Sequence, residues 1–295
     1  MANAQDIEAM RDWLSKQPHL PEKIDDFLIE RFLLSCRGSL ERTKTVMDSF
    51  FKLRSEAPEF FTNRDPRQEA VQAMLRAIDT VTLPKRTKEG YQIYLHRLED
   101  TDPEKFDFTA YGKAFFMLVD TRFRSETEIP NGDIPVFDMA GFTFKHLTRL
   151  MSALGAVRKY MQITQDTNPL RLKNIHVINT NSLITMPIPY WINQFDYFRP
   201  LTSIPFNGFQ LQFHSTMDTF TEYIPLELLP EEYGGSGGKL ADIREAHYKR
   251  IEENREWLLQ EPWLSDERKR PAGSRKSIHD SSSAVNGSFR SLALD

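Results

Sequence analysis

The chain has 295 residues and 40% hydrophobic side chains, enough to bury a sizeable core in one or two domains. Its single cysteine, Cys36, excludes an internal disulfide and a zinc site built of several thiolates, and a formal net charge of -4 argues against a general nucleic-acid binder. The opening MANAQDIEAMRDWLSKQ carries charges where a signal peptide is apolar, and no later segment approaches the ~20 apolar residues of a membrane span, so a soluble cytosolic protein is expected.

The first 80 or so residues read as helices. In DIEAMRDWLSKQ, Ile7, Met10 and Leu14 recur at helical spacing until Pro18 and Pro21 stop the run. In DDFLIERFLLSCR, Phe27, Leu28, Phe32 and Leu34 form an apolar stripe with the preceding Ile24, and Asp25 and Asp26 suit the positive end of a helix. Gly38 and Ser39 make a stop and a cap, and Val46, Met47, Phe50, Phe51 and Leu53 then give one buried face up to Pro58. A fourth helix, PRQEAVQAMLRAI, begins at Pro66, a residue suited to a first turn.

The pattern changes near residue 89. YQIYLHRL, IPVFDMA, IHVINT and GFQLQFH are short β-rich runs. Between them, TAYGKAFFMLVDTRFRSE and FKHLTRLMSALGAVRKYMQIT are long enough to cross over a sheet, which predicts β-α-β units with parallel strands. One more amphipathic helix follows at about 239–259, and from Glu261 the composition turns to Ser, Arg, Lys and Pro, the pattern of a disordered tail. The expected division is a helical domain at 1–88, an α/β domain at 89–259 and a tail at 260–295.

The glycine cluster Gly234-Gly235-Ser236-Gly237-Gly238 spells a hydrolase elbow, but Pro230-Glu231-Glu232-Tyr233 stands where such an elbow needs an apolar strand. A phosphate loop fails too, because Tyr233 and Leu240 occupy its glycine and hydroxyl positions. The cluster therefore reads as a turn. The seven histidines hold no pair at metal-ligand spacing; His96, His176 and His214 each lie on or end a strand, where convergence on one site is open but a satisfied core histidine is the commoner outcome. Asp138 reads mainly as an acceptor for the loop after its strand. No catalytic residue, metal ligand or cofactor site emerges.

Four ordered blocks, DDFLIERFLLSCRGSLERTKTVMDSFFKLRSEAPEFF, NGDIPVFDMAGFTFKHLT, NPLRLKNIHVIN and LPEEYGG, resemble the CRAL-TRIO (Sec14-like) lipid carriers over about residues 20–255. SLERTK, PEFFTNRDP and GSFRSLALD look most like arthropod members, of the tocopherol-transfer or retinaldehyde-binding kind. The resemblance implies an α/β fold: an N-terminal helical bundle, then a domain whose mixed, largely parallel sheet floors a hydrophobic cavity closed by a mobile helical gate. It implies no reaction and no cofactor. It implies a carrier for one lipophilic molecule, a retinoid, carotenoid or tocopherol-like compound in preference to a phospholipid, cytoplasmic and transiently membrane-associated, without nucleic-acid partners and monomeric. A phosphatidylinositol-transfer protein and a non-transporting interaction adaptor are the alternatives.

By the same comparison, Met117, Thr121, Phe144, Tyr160, Ile163, Leu172 and Ile175 line the pocket, and Trp191, Ile192, Phe195 and Phe198 in TMPIPYWINQFDYFRP form the gate. Arg171 and Lys173 match two positions of a basic patch that contacts anionic lipid; the other two fall near LTSIPFNGF, which has no basic residue, and Cys36 stands where an arginine is usual in the helical domain. These departures put phosphoinositide exchange in doubt. Phe289 and Leu292 are expected to dock the end of the tail on the folded body.

Overall fold

Helix formation at the N-terminus follows the caps. In the computed structural model, which describes residues 3–180 and 210–271, α1 (Ala4–Ser15) starts at Asn3, whose side chain accepts from the Gln5 amide. Asp25 accepts from the Leu28 amide to start α2 (Asp26–Ser35), and Ser39 accepts from that of Arg42 to start α3 (Leu40–Ser55). Short α4 (Pro58–Phe61) and α5 (Glu69–Ala77) follow.

Contacts divide the chain into two compact units. The first comprises residues 1–58, 163–169 and 262–295. Its core is Met10, Leu28, Ile29, Phe32, Met47 and Phe50, all buried, with Phe50 edge-on to Phe32 at 5.1 Å and to Phe51 at 5.2 Å between ring centroids. Residues 262–271 belong to this core and are not a loose tail: Trp263 is buried 6.1 Å from the Phe50 ring, the Ser265 amide donates to Ser55 Oγ at 2.8 Å, and the Asp266 amide donates to the His19 carbonyl at 2.8 Å. Arg270 pairs with Asp48 at 2.9 Å and with Glu267 at 2.6 Å, so part of the basic run is spent inside the unit. The composition suggested disorder because it counts charges and cannot see that each has a partner. Phe289 and Leu292 lie outside the described residues.

The second unit, residues 59–162 and 170–261, holds the sheet. Among the described residues its strands are β1 (Ile78–Thr82), β2 (Tyr91–Leu98), β3 (Gly132–Asp138), β4 (Asn174–Ile178) and β5 (Gln210–Phe213), in spatial order of sequence. β1 is antiparallel to β2, and the other pairings are parallel. The predicted mixed, largely parallel α/β architecture is thus the observed one. β1 differs from expectation: IDTVT continues the helical run in sequence, yet Ile78 pairs with Leu98 and Thr82 with Tyr94, which puts sheet structure inside the stretch assigned to the helical domain.

α6 (Phe108–Ser125) crosses from β2 to β3. The next crossover is broken into α7 (Phe144–Ser152) and α8 (Leu154–Gln162), with a π-helical turn at Ile163–Thr167. After β5 come α9 (Met217–Thr221), α10 (Leu240–Glu253) and α11 (Arg255–Leu259); α10 and α11 together fill the span predicted as one helix.

Alternation along the strands separates two sheet faces. One carries Val81, Ile93, Leu95, Ile134, Val136 and Ile178 and packs on Phe220, Ile224, Leu228, Leu229, Leu240 and Ile243, a closed apolar core. The glycine cluster belongs to this cover. Gly234 and Gly238 have φ of +80° and +96°, and a Cβ on Gly235 would stand 2.1 Å from the Leu229 carbonyl oxygen. Ser236 Oγ donates to the Glu227 carbonyl at 3.3 Å, as a turn residue does.

Candidate ligand-binding site

The opposite sheet face presents Tyr94, His96, Pro135, Phe137, Ile175, Val177, Leu211 and Phe213, by the registers His96 to Phe137, Phe137 to Val177 and Val177 to Phe213. α6 covers its β2 side. Its sheet-facing line is Tyr111, Phe115 and Arg122: Phe115 lies 6.0 Å from the His96 ring, and the Arg122 guanidinium sits 4.3 Å from the centre of the Tyr94 ring. Tyr94 in turn donates to Asp133 at 2.7 Å. Toward β4 and β5 the face is less enclosed. Phe137, Ile175 and Leu211 are half-buried and Phe213 is 40% exposed.

An aromatic cluster forms the wall at the covered end. Tyr160 of α8 meets Phe108 at 5.4 Å, Phe115 at 5.1 Å, Phe116 at 5.4 Å and Phe60 at 6.4 Å. Gly112 lets Phe60 approach α6; a Cβ there would be 2.5 Å from its ring. Tyr111 lies 6.2 Å from Tyr160, and its hydroxyl is 3.5 Å from His96 Nδ1. Burial pushes the Tyr111 and Tyr160 hydroxyls up, the latter well above the phenol range, and holds His96 down at about 4.

The residues carried over from the resemblance are placed as follows. Tyr160 is in the aromatic wall, Ile175 is on the half-buried sheet face, and Leu172 makes an isolated bridge to Asp133 beside that face. Met117 and Thr121 are fully buried, one turn apart; Thr121 Oγ1 donates to the Met117 carbonyl at 2.8 Å, and neither lies on the sheet-facing line of α6. Phe144 begins α7 with its ring 77% exposed, not enclosed in a wall. Ile163 starts the π turn and is buried; it belongs to the first unit, and the other six belong to the second. Trp191, Ile192, Phe195 and Phe198 fall outside the described residues. Arg171 and Lys173 bracket Asp133 through their backbones: the Arg171 amide donates to Asp133 Oδ2 at 2.7 Å and the Lys173 amide to its carbonyl at 3.0 Å. The Lys173 ammonium lies 5.1 Å from the Tyr91 ring. His96, Tyr111 and Phe137 were not predicted as site residues; the alternation of YQIYLHRL places His96 beside Tyr94 on one face, but only the strand pairing says which face is covered.

The strand histidines separate. His176 Nδ1 and His214 Nε2 are 2.9 Å apart, with Thr219 Oγ1 3.3 Å from His214 Nδ1, while His96 lies on the other face of the sheet. Among the described residues no three metal-ligating side chains converge. Asp138 is an acceptor for its loop: Oδ1 takes hydrogen bonds from the Ala140 amide and Asn179, and Oδ2 from Tyr233 at 2.6 Å.

Two family models match this chain, one described as Pinta-like, UBA domain, over residues 2–71, and one described as CRAL/TRIO domain, over residues 79–191. The CRAL/TRIO match takes in β2 to β4 with α6, α7 and α8, hence Phe137, Ile175 and Tyr160, while Phe60, Leu211 and Phe213 lie outside it. Proteins named alpha-tocopherol transfer protein-like from Pongo abelii and Homo sapiens are each 24% identical over 236 residues, covering 80% of this chain and 66% of theirs; the Mus musculus protein of that name is 23% identical. The chain thus spans just under two thirds of the length of these curated relatives. The solved structure "Crystal structure of Sfh5" superposes with a TM-score of 0.49 at 10% identity, covering 97% of this chain and 96% of that one. Among the described residues, no helix is long and apolar enough to cross a membrane.

The buried histidines make the stability of the protein pH-dependent. Burial, with Arg250 adding to it, takes His247 down to about 3 against an opposing backbone contact with Thr80; burial and His214 take His176 to about 4. An unfolded histidine titrates at about 6.5, so on acidification the unfolded chain gains protons first. Stability is therefore full above that pH and is lost as pH falls through it toward the folded values. Urea midpoints measured at about pH 7 and about pH 4.5 are expected to drop for the native chain and to drop less for His247→Gln. Equal drops would show that His247 is not held neutral.

Proposed function

We propose that the protein binds one lipophilic small molecule on the sheet face bounded by the aromatic wall and carries it between membranes, without catalysing a reaction. The observation that carries this reading is that Phe137, Ile175, Leu211 and Phe213, apolar side chains on one face around buried Val177, are only partly buried, while the opposite face holds the closed apolar core. An apolar molecule gains about 25 cal/mol for each Å² it withdraws from water, so such a face favours a greasy occupant. The names of the curated relatives favour a tocopherol-like ligand, with retinoids and carotenoids of comparable shape beside it. Trp191, Ile192, Phe195 and Phe198 are proposed to close over the ligand and to enter the membrane interface on opening. Arg171 and Lys173 are proposed to add a weak, salt-sensitive attraction to anionic lipid.

Native mass spectrometry and an absorption spectrum of protein purified from its own tissue test the reading. A stoichiometric lipid is the expected result, and Phe195→Asp with Phe198→Asp should slow vesicle-to-vesicle transfer of that lipid. Protein that is empty and takes up no hydrophobic probe would overturn it in favour of an adaptor.

A further inference from the structure

The first turn of α7 is closed by a histidine. Thr143 is the N-cap, and the third helical position, where a capping box ordinarily has Glu or Gln, is His146. The Thr143 amide lies 3.1 Å from His146 Nδ1, and the Thr143 hydroxyl 2.9 Å from the same nitrogen. A backbone N–H can only donate, so Nδ1 is the unprotonated nitrogen and the ring proton sits on Nε2. The imidazole is fully buried, stacked on Phe142 at 5.2 Å and edge-on to Phe106 at 5.8 Å between ring centroids. Nε2 is buried with it and has no hydrogen-bond partner among the described residues.

This seat suits a neutral ring alone. A second proton would turn Nδ1 into a donor facing the donors it now accepts from, and would put a positive charge at the positive end of a helix. The surrounding charges do not reverse that preference. Burial holds His146 below the ordinary histidine value; Asp102 opposes the shift and Arg149 reinforces it. Asp102 caps the 3-10 turn at Pro103–Lys105, accepting from the Glu104 amide at 3.0 Å. Glu104 pairs with Arg149, Lys105 pairs with Asp100 at 2.6 Å, and Lys145 beside the ring in sequence is exposed.

We propose that His146 is an acid-released cap: neutral, it closes the first turn of α7, and on protonation it lets that turn open. Phe144, 77% exposed, makes too few contacts to hold the turn once the cap is lost. The ring titrates at about 6.5 in the open turn and lower in the closed one, so the cap is at full strength above about pH 6.5 and is lost as pH falls through that value. α7 leads through Ala153 into α8, which carries Tyr160 into the aromatic wall, so an open turn loosens one side of the candidate ligand site. That consequence rests on the carrier reading; the cap itself does not.

Hydrogen exchange in the full chain tests the cap at two amides: Thr143, which donates to His146, and Leu147, which donates to the Thr143 carbonyl at 3.2 Å. After correction for intrinsic exchange, their protection is expected to fall by up to about tenfold for each pH unit below about 6.5, with β3 amides in the same run reporting any global loss. His146→Gln keeps an acceptor that does not titrate and should hold the protection of both amides. An equal acid loss in His146→Gln, or no loss in the native chain, would overturn the proposal. Should the variant not fold, the native ring decides: its carbon shifts are expected to show the Nε2–H tautomer near neutral pH and titration below about 6.5, and protonation at or above that value would overturn the cap. Transfer of the co-purified lipid to vesicles should quicken in acid for the native chain and not for His146→Gln. Transfer that ignores pH while the two amides open would overturn the link to the ligand site and not the cap. A chain that carries no lipid would overturn the carrier reading, with the exchange result still deciding the cap.

Discussion

Replacing Asp120 by alanine is expected to lower the free energy of unfolding by about 3–5 kcal/mol, the usual cost of leaving a buried ion pair half-made. Asp120 lies on α6, and its Oδ2 is 2.8 Å from Arg64 Nη2, with both side chains 0% exposed. The guanidinium also stands 5.6 Å from the Phe61 ring. Taking both charges away tests the cause. Arg64→Met with Asp120→Leu should recover most of the loss, because the desolvation cost leaves with the charges. Urea unfolding of the two variants and the native chain checks this; a loss under about 1 kcal/mol in the single variant would mean the pair is not buried. The effect reaches function because α6 also carries Tyr111 and Phe115, so a displaced helix should weaken probe binding along with stability.

Trp263→Ala is the second large effect, about 3–5 kcal/mol, as for other buried aromatic truncations. Trp263 is 5% exposed, 6.1 Å from the Phe50 ring and 5.7 Å from the Arg54 guanidinium, which itself lies 3.9 Å from the centre of the Phe50 ring. Its φ of +65° is unfavourable for a bulky side chain, and the burial of the indole is what offsets that conformation. The substitution should lower the thermal midpoint by several degrees, at about 2–4 °C for each kcal/mol in a chain of this size. An unchanged midpoint would return residues 262–271 to the loose tail that composition suggests.

How much was legible in the sequence differs by element. The helices α1 to α3 and α6 were readable because each depends on local signals: an Asn, Asp or Ser cap and an apolar stripe within the same dozen or so residues. β2 to β5 were readable from short β-rich runs between long helical ones. β1 was not, because Ile78–Thr82 directly continues an amphipathic helix and becomes a strand only by pairing with β2. The break between α7 and α8 has no proline to announce it; Ser152 and Gly155 beside it are weak helix formers, but the apolar periodicity runs on across them. Of the residues named from the resemblance, Tyr160 stands in the aromatic wall and Ile175 on the half-buried face, while His96, which it did not name, stacks on the ring of Phe137 one strand away.

What the linear order of residues determined is whatever a few neighbouring side chains can enforce alone: the caps, the periodicities, the glycine turn, the absence of an internal disulfide and, through ordered blocks, the match of residues 79–191 to the CRAL/TRIO domain. The tertiary structure decided which sheet face is closed and which is half-open, and it drew His96, Tyr111 and Tyr160 together. It also drew Trp263 and Arg270 into the first unit. These outcomes depend on pairings between residues far apart in the chain, where the free energy comes from burial and from partners for charges, and no local pattern records either.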